Sequence, residues 1–439
     1  MSFQQGLSGL SAAAKNLEVI GNNISNANTI GAKSSRAEFS DIYASAVGGN
    51  GAVGIGSRLA AVTQDHTQGS ITTTGSNLDL AINGTGYFQV LETSSARGGA
   101  ADKSVLYTRN GQFKSDREGF IINNEGMKLL GYPADDTGAI RSGQLDVLKV
   151  PDGRIVQKPT TEIDMSFNLN AADTIKPLAF DASEGGSFNY STSLKVVDQS
   201  GKEVQLGLYY KKVSSPTGPA WDVYATANGR PVGTTALGQI QFTNTDGSGP
   251  PAATDASGPR AGDLAGTLAI PKAAIEAALN TTANATAGLS YTFDPITLNL
   301  ASTTQRAGDY LIGTLAQDGY PVGTLSSFSF DKAGVLTARY SNGQVRQTGQ
   351  LALASFRNPQ GLTPAGGNAW AESRDSGARS MDVPGTGAAG EIAAGALEES
   401  NVDLTSELVN LITAQRTYQA NAQTIKTQDQ VMQTFVNMR

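Results

Sequence analysis

The chain of 439 residues contains no cysteine. That excludes disulfide scaffolds, Cys-ligated zinc, iron–sulfur clusters and thiol nucleophiles together. Histidine occurs once, as His66, so a multi-histidine metal site is excluded and a histidine-based triad has a single candidate. Charge is scarce: Asp, Glu, Lys and Arg make up 16%, against roughly 25% in an average globular protein. The 32 basic residues are outnumbered by 39 acidic ones, without the basic stripe of a nucleic-acid binder. Long apolar runs are missing as well, none approaching the ~18 residues of a membrane span. At the N-terminus Phe3, Leu7 and Leu10 are dispersed and the first positive side chain is Lys15, which is not the pattern of a secretory leader. Neither nucleic-acid binding nor membrane insertion is expected. What remains is a polar surface built from Ser, Thr, Asn, Gln and 51 glycines, a composition commoner in secreted or polymerising β-rich proteins than in cytosolic enzymes. The length suggests about three domains.

The two ends differ from the middle. Over residues 2–28, Leu7, Leu10, Ala14, Leu17, Ile20 and Ile24 recur at steps of three and four, the period of one helical face. Gly6, Gly9 and Gly21 weaken that helix by up to about 1 kcal/mol each. Residues 401–439 give a stronger signal: Ser400 with Asp403 resembles a capping box, and neither Gly nor Pro occurs after Ala396. Leu404, Leu408, Leu411, Tyr418, Ala422, Ile425, Met432 and Val436 then form a heptad seam, interrupted at Gln415 and Asp429. Such a helix could reach about 58 Å. Its flanks, and those of the first helix, carry Ala, Ser, Thr, Asn and Gln in place of the Glu and Lys of an isolated coiled coil. Small and amide side chains permit close approach on several faces, so the two ends are expected to pair with each other and then with other subunits. Helices this poor in apolar contacts are marginal alone; ordering on polymerisation is the expectation.

Between residues 30 and 395 the period becomes two. Leu78, Leu80 and Ile82 lead to Asn83-Gly84, then Tyr87, Phe88 and Val90 follow, a hairpin pattern. The same is read at Asn110-Gly111, at Asn124-Glu125-Gly126 and at Asn342-Gly343. A middle block has strands near 188–197, 204–213 and 221–226, a low-complexity loop at 246–264, and a short helix at 271–279. The Gly49–Gly54 string matches G-x-G-x-x-G, but lacks the leading strand and following helix of a nucleotide site. His66 lies in a Gln/Thr-rich run and reads as locally hydrogen-bonded rather than catalytic. Asp135-Asp136 reads as turn chemistry. No residue is nominated as catalytic, cofactor-binding or metal-ligating, and no cofactor is implied.

Two strings carry a family resemblance. Asn22-Asn23-Ile24-Ser25-Asn26-Ala27-Asn28-Thr29, with Gly31 and Lys33, resembles the N-terminal signature of bacterial flagellar axial proteins. Residues 396–439, with Asn401, Asp403 and Tyr418-Gln419-Ala420-Asn421-Ala422, resemble their C-terminal signature. Gly84-Thr85-Gly86-Tyr87-Phe88 and residues 107–113 look like the β-domain shared by the hook and distal-rod branches. The inserted block, with residues 188–193 and 221–224, looks like the extra outer domain of the hook branch. Ala32 departs from the pattern, which often has an aromatic there. The resemblance implies a mainly β, nested multi-domain chain with paired terminal α-helices, coiled-coil-like termini plus two β-domains. Residues 1–29 and 396–439 would be the paired helices of an inner tube, 30–70 and 370–395 a linker region, 71–145 with 296–369 an inner β-domain, and 146–295 an inserted outer β-domain.

The same resemblance implies a self-assembling structural subunit, not an enzyme. It would reach the outside of the cell through the flagellar export apparatus without a cleaved signal peptide, and polymerise into a curved hollow tube passing torque from motor to filament. Besides itself, its implied partners are the distal rod protein, the hook cap protein and the hook–filament junction protein. Leu7, Leu10, Leu17 and Ile24 with Leu404, Leu408, Leu411, Tyr418, Ile425 and Met432 are the expected self-assembly seam. Asn22, Asn23, Asn26, Asn401, Asp403 and Asn421 are the signature residues. A rod or hook-associated relative is disfavoured by the inserted block. A secreted β-rich adhesin or carbohydrate-active enzyme would leave the helical ends unexplained.

Overall fold

A computed structural model of the chain describes residues 2–42, 56–92, 104–135, 138–151, 153–215, 219–242, 251–255 and 266–437. The chain divides into two compact units: residues 1–152, 326–339 and 345–439 form one, and residues 153–325 with 340–344 form the other.

The first unit holds both ends of the chain. The N-terminal helix, Ser2–Ser25, and the C-terminal helix, Leu404–Asn437, pack antiparallel. Glycine governs how closely they approach: a Cβ on Gly6 would stand 3.1 Å from the Ile425 side chain, and one on Gly9 3.0 Å from the Asn421 amide. The C-terminal helix is capped by Asp403 and not by Ser400 as the capping-box reading had it. Asp403 Oδ1 accepts from the Thr405 and Ser406 amides at 2.9 and 3.3 Å, and the Ser406 hydroxyl donates to Oδ2 at 2.9 Å. A carboxylate at the cap also meets the positive end of the helix dipole, and it leaves Ser400 and Asn401 in extended chain.

Between the helices and the β-core, Ser35–Ile42 pairs antiparallel with Gly56–Gln64. The 30–70 segment, expected as a linker, thus holds a β-ribbon lying along the N-terminal helix. The Gly49–Gly54 string falls outside the described residues. In the β-core, Tyr87–Glu92 pairs with Ser104–Thr108, Lys128–Pro133 and Leu353–Ser355. Lys128–Pro133 continues to Val345–Leu351, which pairs with Val335–Tyr340. Leu80, Ile82, Phe88, Val90, Ile121, Leu129, Leu336, Leu351 and Leu353 make the buried core.

Two of the four expected hairpins exist, at Asn124–Gly126 and at Asn342-Gly343. The other two turn signals redirect the chain instead. Leu80–Asn83 pairs with the returning strand Glu391–Ala394, and Ile71–Thr73 with Ala396–Glu398. Gly111 passes so close beneath Leu80 that a Cβ there would overlap its carbonyl. At Asn83-Gly84 pairing with the returning strand overrides the local turn, and at Asn110-Gly111 the strand Ser104–Thr108 pairs instead with Tyr87–Glu92 and Ala369–Ala371.

The second unit is two sheets face to face. One contains Glu162–Asn170, paired with Ile296–Asn299, Thr304–Arg306 and Leu311–Gln317, and Thr267–Ile270 at its edge. The other runs Tyr190–Val197, Glu203–Val213, Ala220–Ala227, Gly238–Phe242, Pro251–Asp255. Alternating side chains from both interdigitate: Ile163, Met165, Phe167 and Leu169 meet Leu206, Leu208, Tyr210, Trp221 and Val223, as expected of packed inner faces. The helix Lys272–Leu279 adds Ile275 and Leu279. The strands at 296–317 pair with 162–170, so this unit runs to 325 and not to 295, the boundary expected from the sequence. The 246–264 stretch lies mostly outside the described residues; its described part, Pro251–Asp255, is a strand and not a loop.

The two tryptophans report the units separately, Trp221 in the second and Trp370 in the first. Leu206→Ala is expected to destabilise the second unit by ~2–5 kcal/mol, lowering the denaturation midpoint of Trp221 fluorescence in a Trp370→Phe background. The Trp370 transition in a Trp221→Phe background should stay where it was.

Candidate functional site

The polar constellation with the most buried charge joins the two arms to the β-core. Glu398 ends the strand Ala396–Glu398 and is completely buried. Its Oε1 accepts from Lys33 Nζ at 2.6 Å and from the Gly69 amide at 3.1 Å; its Oε2 accepts from Arg109 Nη1 at 2.9 Å. The Lys33 side chain is also fully enclosed, and that of Arg109 is 4% exposed. Lys33 donates further to the Thr67 carbonyl at 2.6 Å, and Arg109 to the Ile82 and Gly84 carbonyls at 3.3 and 2.8 Å. Burial pushes the Lys33 ammonium below its ordinary pKa, opposed by the Glu398 carboxylate. Gly31 permits the approach: at φ +70° it donates its amide to the Glu398 carbonyl at 2.9 Å, and a Cβ would stand 2.6 Å from the Asn110 nitrogen.

Two asparagines of the terminal signatures extend this junction. The Asn23 amide mimics a strand neighbour, donating to the Ser35 carbonyl and accepting from the Ser35 amide, both at 2.8 Å, and reaches Glu407 at 3.3 Å. Asn401 accepts from the Ser34 amide at 2.7 Å and donates to the Asp65 carbonyl at 2.9 Å. Asn26 closes the end of the first helix, donating to the Asn22 carbonyl at 3.0 Å. Asn421 faces Gly9, and Asp403 is the helix cap.

His66 sits beside this cluster, its ring edge-on to Tyr87 and Trp370. Burial, then the positive charges of Lys33 and Arg109, push its pKa down to about 4, while burial raises Tyr87 to about 12. Tyr87 therefore keeps its proton, and its hydroxyl shares a 2.9 Å hydrogen bond with Nδ1 of the neutral imidazole. This is a satisfied structural histidine.

The apolar residues nominated for a seam fall into two groups. Leu10, Leu17, Ile24, Leu411 and Ile425 are half-buried, whereas Leu7, Leu404, Leu408, Tyr418 and Met432 are exposed, Leu408 by 50% and Met432 by 60%. The face of the C-terminal helix turned toward the N-terminal helix carries Glu407, Ala414, Asn421 and Ile425, of which Ile425 alone belongs to the nominated seam. The intrachain contact therefore combines small and amide side chains with Ile425, and the exposed leucines of the seam do not mark it. The Lys33–Glu398–Arg109 cluster was not anticipated either. Each of its three charges lies within a signature string, but nothing in those strings pairs Lys33, Arg109 and Glu398 with one another.

Four family models match the chain in order. The flagella basal body rod protein model matches residues 3–33, the flagellar hook protein FlgE/F/G D1 domain 81–170, the flagellar basal body protein FlaE D2 domain 168–320, and the flagellar basal body rod FlgEFG protein C-terminal model 393–438. The flagellar hook protein FlgE of Escherichia coli strain K12 is 38% identical over 445 residues, covering the whole of both chains. The chain belongs to the flagellar hook protein family. The hook protein of Treponema pallidum is 32% identical, over all of this chain and 99% of its own. The crystal structure of Helicobacter pylori flagellar hook protein FlgE2 shares the fold, with a TM-score of 0.51 over 73% of this chain and 98% of that one, at 16% identity. As a hook protein the chain is a structural subunit of the flagellar hook and polymerises with itself.

Glu398→Gln should destabilise the first unit by about 3–5 kcal/mol, because it leaves two buried cations facing a neutral amide. Chemical denaturation followed at Trp370 measures it. His66 gives a pH dependence of defined sign. Its folded pKa lies below the ordinary 6.5, so the unfolded chain takes up the proton first as pH falls. Stability of the first unit is full above about pH 6.5 and declines toward pH 4. His66→Gln should flatten that window in a series of melts.

Proposed function

We propose that the paired terminal helices form the inner tube of the hook, cohering through the apolar side chains they leave uncovered within one chain. The observation that carries this reading is the exposure of Leu404, Leu408, Val409, Ile412, Tyr418, Val431, Met432 and Val436 along one helix. Burying a leucine-sized side chain yields roughly 1.5–3 kcal/mol, so a few such contacts per subunit supply cohesion. The charge-poor β-surfaces suit contacts that break and re-form cheaply, since exposed polar contacts carry little net energy. The tube is then free to bend while the helical core holds, and the assembly works as a curved universal joint passing torque to the filament.

In this reading the subunit stands outside the cell in the hook. It leaves through the flagellar export apparatus with no cleaved signal peptide, and it meets the distal rod protein, the hook cap protein and the hook–filament junction protein at the stages of assembly. The self-assembly residues are Leu7, Leu10, Leu17 and Ile24 with Leu404, Leu408, Leu411, Tyr418, Ile425 and Met432. Leu408→Asp tests the reading. It should abolish tubes seen by electron microscopy while the fluorescence melts of Trp370 and Trp221 stay unchanged. Normal tubes from this variant, or from a chain lacking residues 1–30 and 400–439, would refute the role given to the helices.

A further inference from the structure

The two terminal helices differ in length. At 1.5 Å per residue the N-terminal helix spans about 36 Å and the C-terminal helix about 51 Å. Gly6 lies opposite Ile425, so the last turns of the longer helix run past the end of the shorter one. From Asp429 to Val436 every described side chain is exposed. The face carrying Glu407, Ala414, Asn421 and Ile425 that packs on the N-terminal helix continues, at steps of three and four, through Gln428 to Met432 and Val436. The packing face therefore outlasts its intrachain partner.

A complementary surface lies on the other side of the N-terminal helix. Lys15, Glu18, Val19 and Asn22, with Ser35, Leu59 and Val62 of the ribbon, line an open groove of about 320 Å³. Leu59 and Val62 are 36% and 48% exposed. Lys15 and Glu18 pair with each other at 2.7 Å on its rim. The C-terminal helix carries Lys426 and Asp429 at the same spacing of three, at the point where the overhang begins. Set antiparallel, as the helices already run within one chain, Lys15 meets Asp429 and Glu18 meets Lys426, so both charges are matched at once.

We propose that this groove receives the overhanging last turns of the C-terminal helix of a second copy, antiparallel to the N-terminal helix, with Asp429 against Lys15 and Lys426 against Glu18. Within one chain residues in contact across the helix pair sum to about 430, as 9 with 421 and 23 with 407. The proposed contact shifts this by about fourteen residues, a stagger of about 21 Å between the two copies. Met432 then falls level with Leu59, and both lose their exposure. The assignment rests on the reading that the terminal helices drive polymerisation, and it gives that reading one register.

The absence of cysteine makes the test clean. Chains carrying Leu59→Cys alone and Met432→Cys alone are mixed, polymerised and oxidised. Dimers containing one chain of each kind are expected from the tubes and not from the same mixture kept unpolymerised. Tubes that form without such dimers overturn the register and leave helix-driven polymerisation standing, whereas failure of that reading shows as tubes from the chain lacking both ends. The second measurement needs no cysteine. Lys15→Glu and Asp429→Lys should each lower the yield of tubes, and the two together should recover it; losses that simply add overturn the proposed pairing.

Discussion

The first unit depends on one buried carboxylate. Glu398 draws together Lys33, which follows the N-terminal helix, Arg109, which ends a central strand, and its own strand, which precedes the C-terminal helix. The two cations lie 365 and 289 residues before Glu398 in the chain, and neither tolerates enclosure without the anion. A buried ion cluster contributes little net stability compared with apolar packing, because desolvation offsets the attraction. What it supplies is discrimination. An arrangement in which one arm is absent leaves unpaired charge in the interior, so both arms must seat together. The backbone clasps at Asn23 and Asn401 then fix the direction in which each helix departs.

This explains why the residues of the terminal signatures are amides, a glycine and single charges rather than large apolar groups. Gly31 admits the backbone of residues 109 and 110, Asn23 substitutes for a strand neighbour of Ser35, and Asn401 holds the segment from Asp65 to Thr67. Each satisfies main-chain groups that a bend between helix and sheet would otherwise leave unpaired. His66 belongs to the same logic. It is held neutral by burial and by the cations beside it, and shares a hydrogen bond with the Tyr87 hydroxyl.

Much of this architecture is legible in the sequence, and the failures have a common cause. Helical period marks both ends because it is a local property, and alternation marks the strands at 190–197, 203–213 and 220–227 for the same reason. Asn83-Gly84 and Asn110-Gly111 read as hairpins because the turn chemistry is local, but Leu80–Asn83 takes its partner from residues 391–394, and Ser104–Thr108 takes its partners from Tyr87–Glu92 and Ala369–Ala371. The division at 325 was missed because strands 296–317 choose their partner at 162–170, a choice that nothing in their own composition records. The junction cluster was invisible for the same reason: Lys33, Arg109 and Glu398 meet only in the fold.

The seam is the most instructive of these cases. Leucine spacing on the C-terminal helix locates an apolar face, and an apolar face in a monomeric protein would ordinarily mark the intrachain contact. Here the intrachain contact uses Gly6, Gly9, Ala13, Ala414 and Asn421, which allow close approach but remove little apolar area from water. Several larger apolar groups, Leu408 and Met432 among them, are left outside. A helix pair built this way is weakly held by itself. If added subunits cover that surface, as proposed above, the burial that a single-domain protein completes within its own chain is divided between folding and polymerisation, and cohesion of the terminal arms rises with each subunit added.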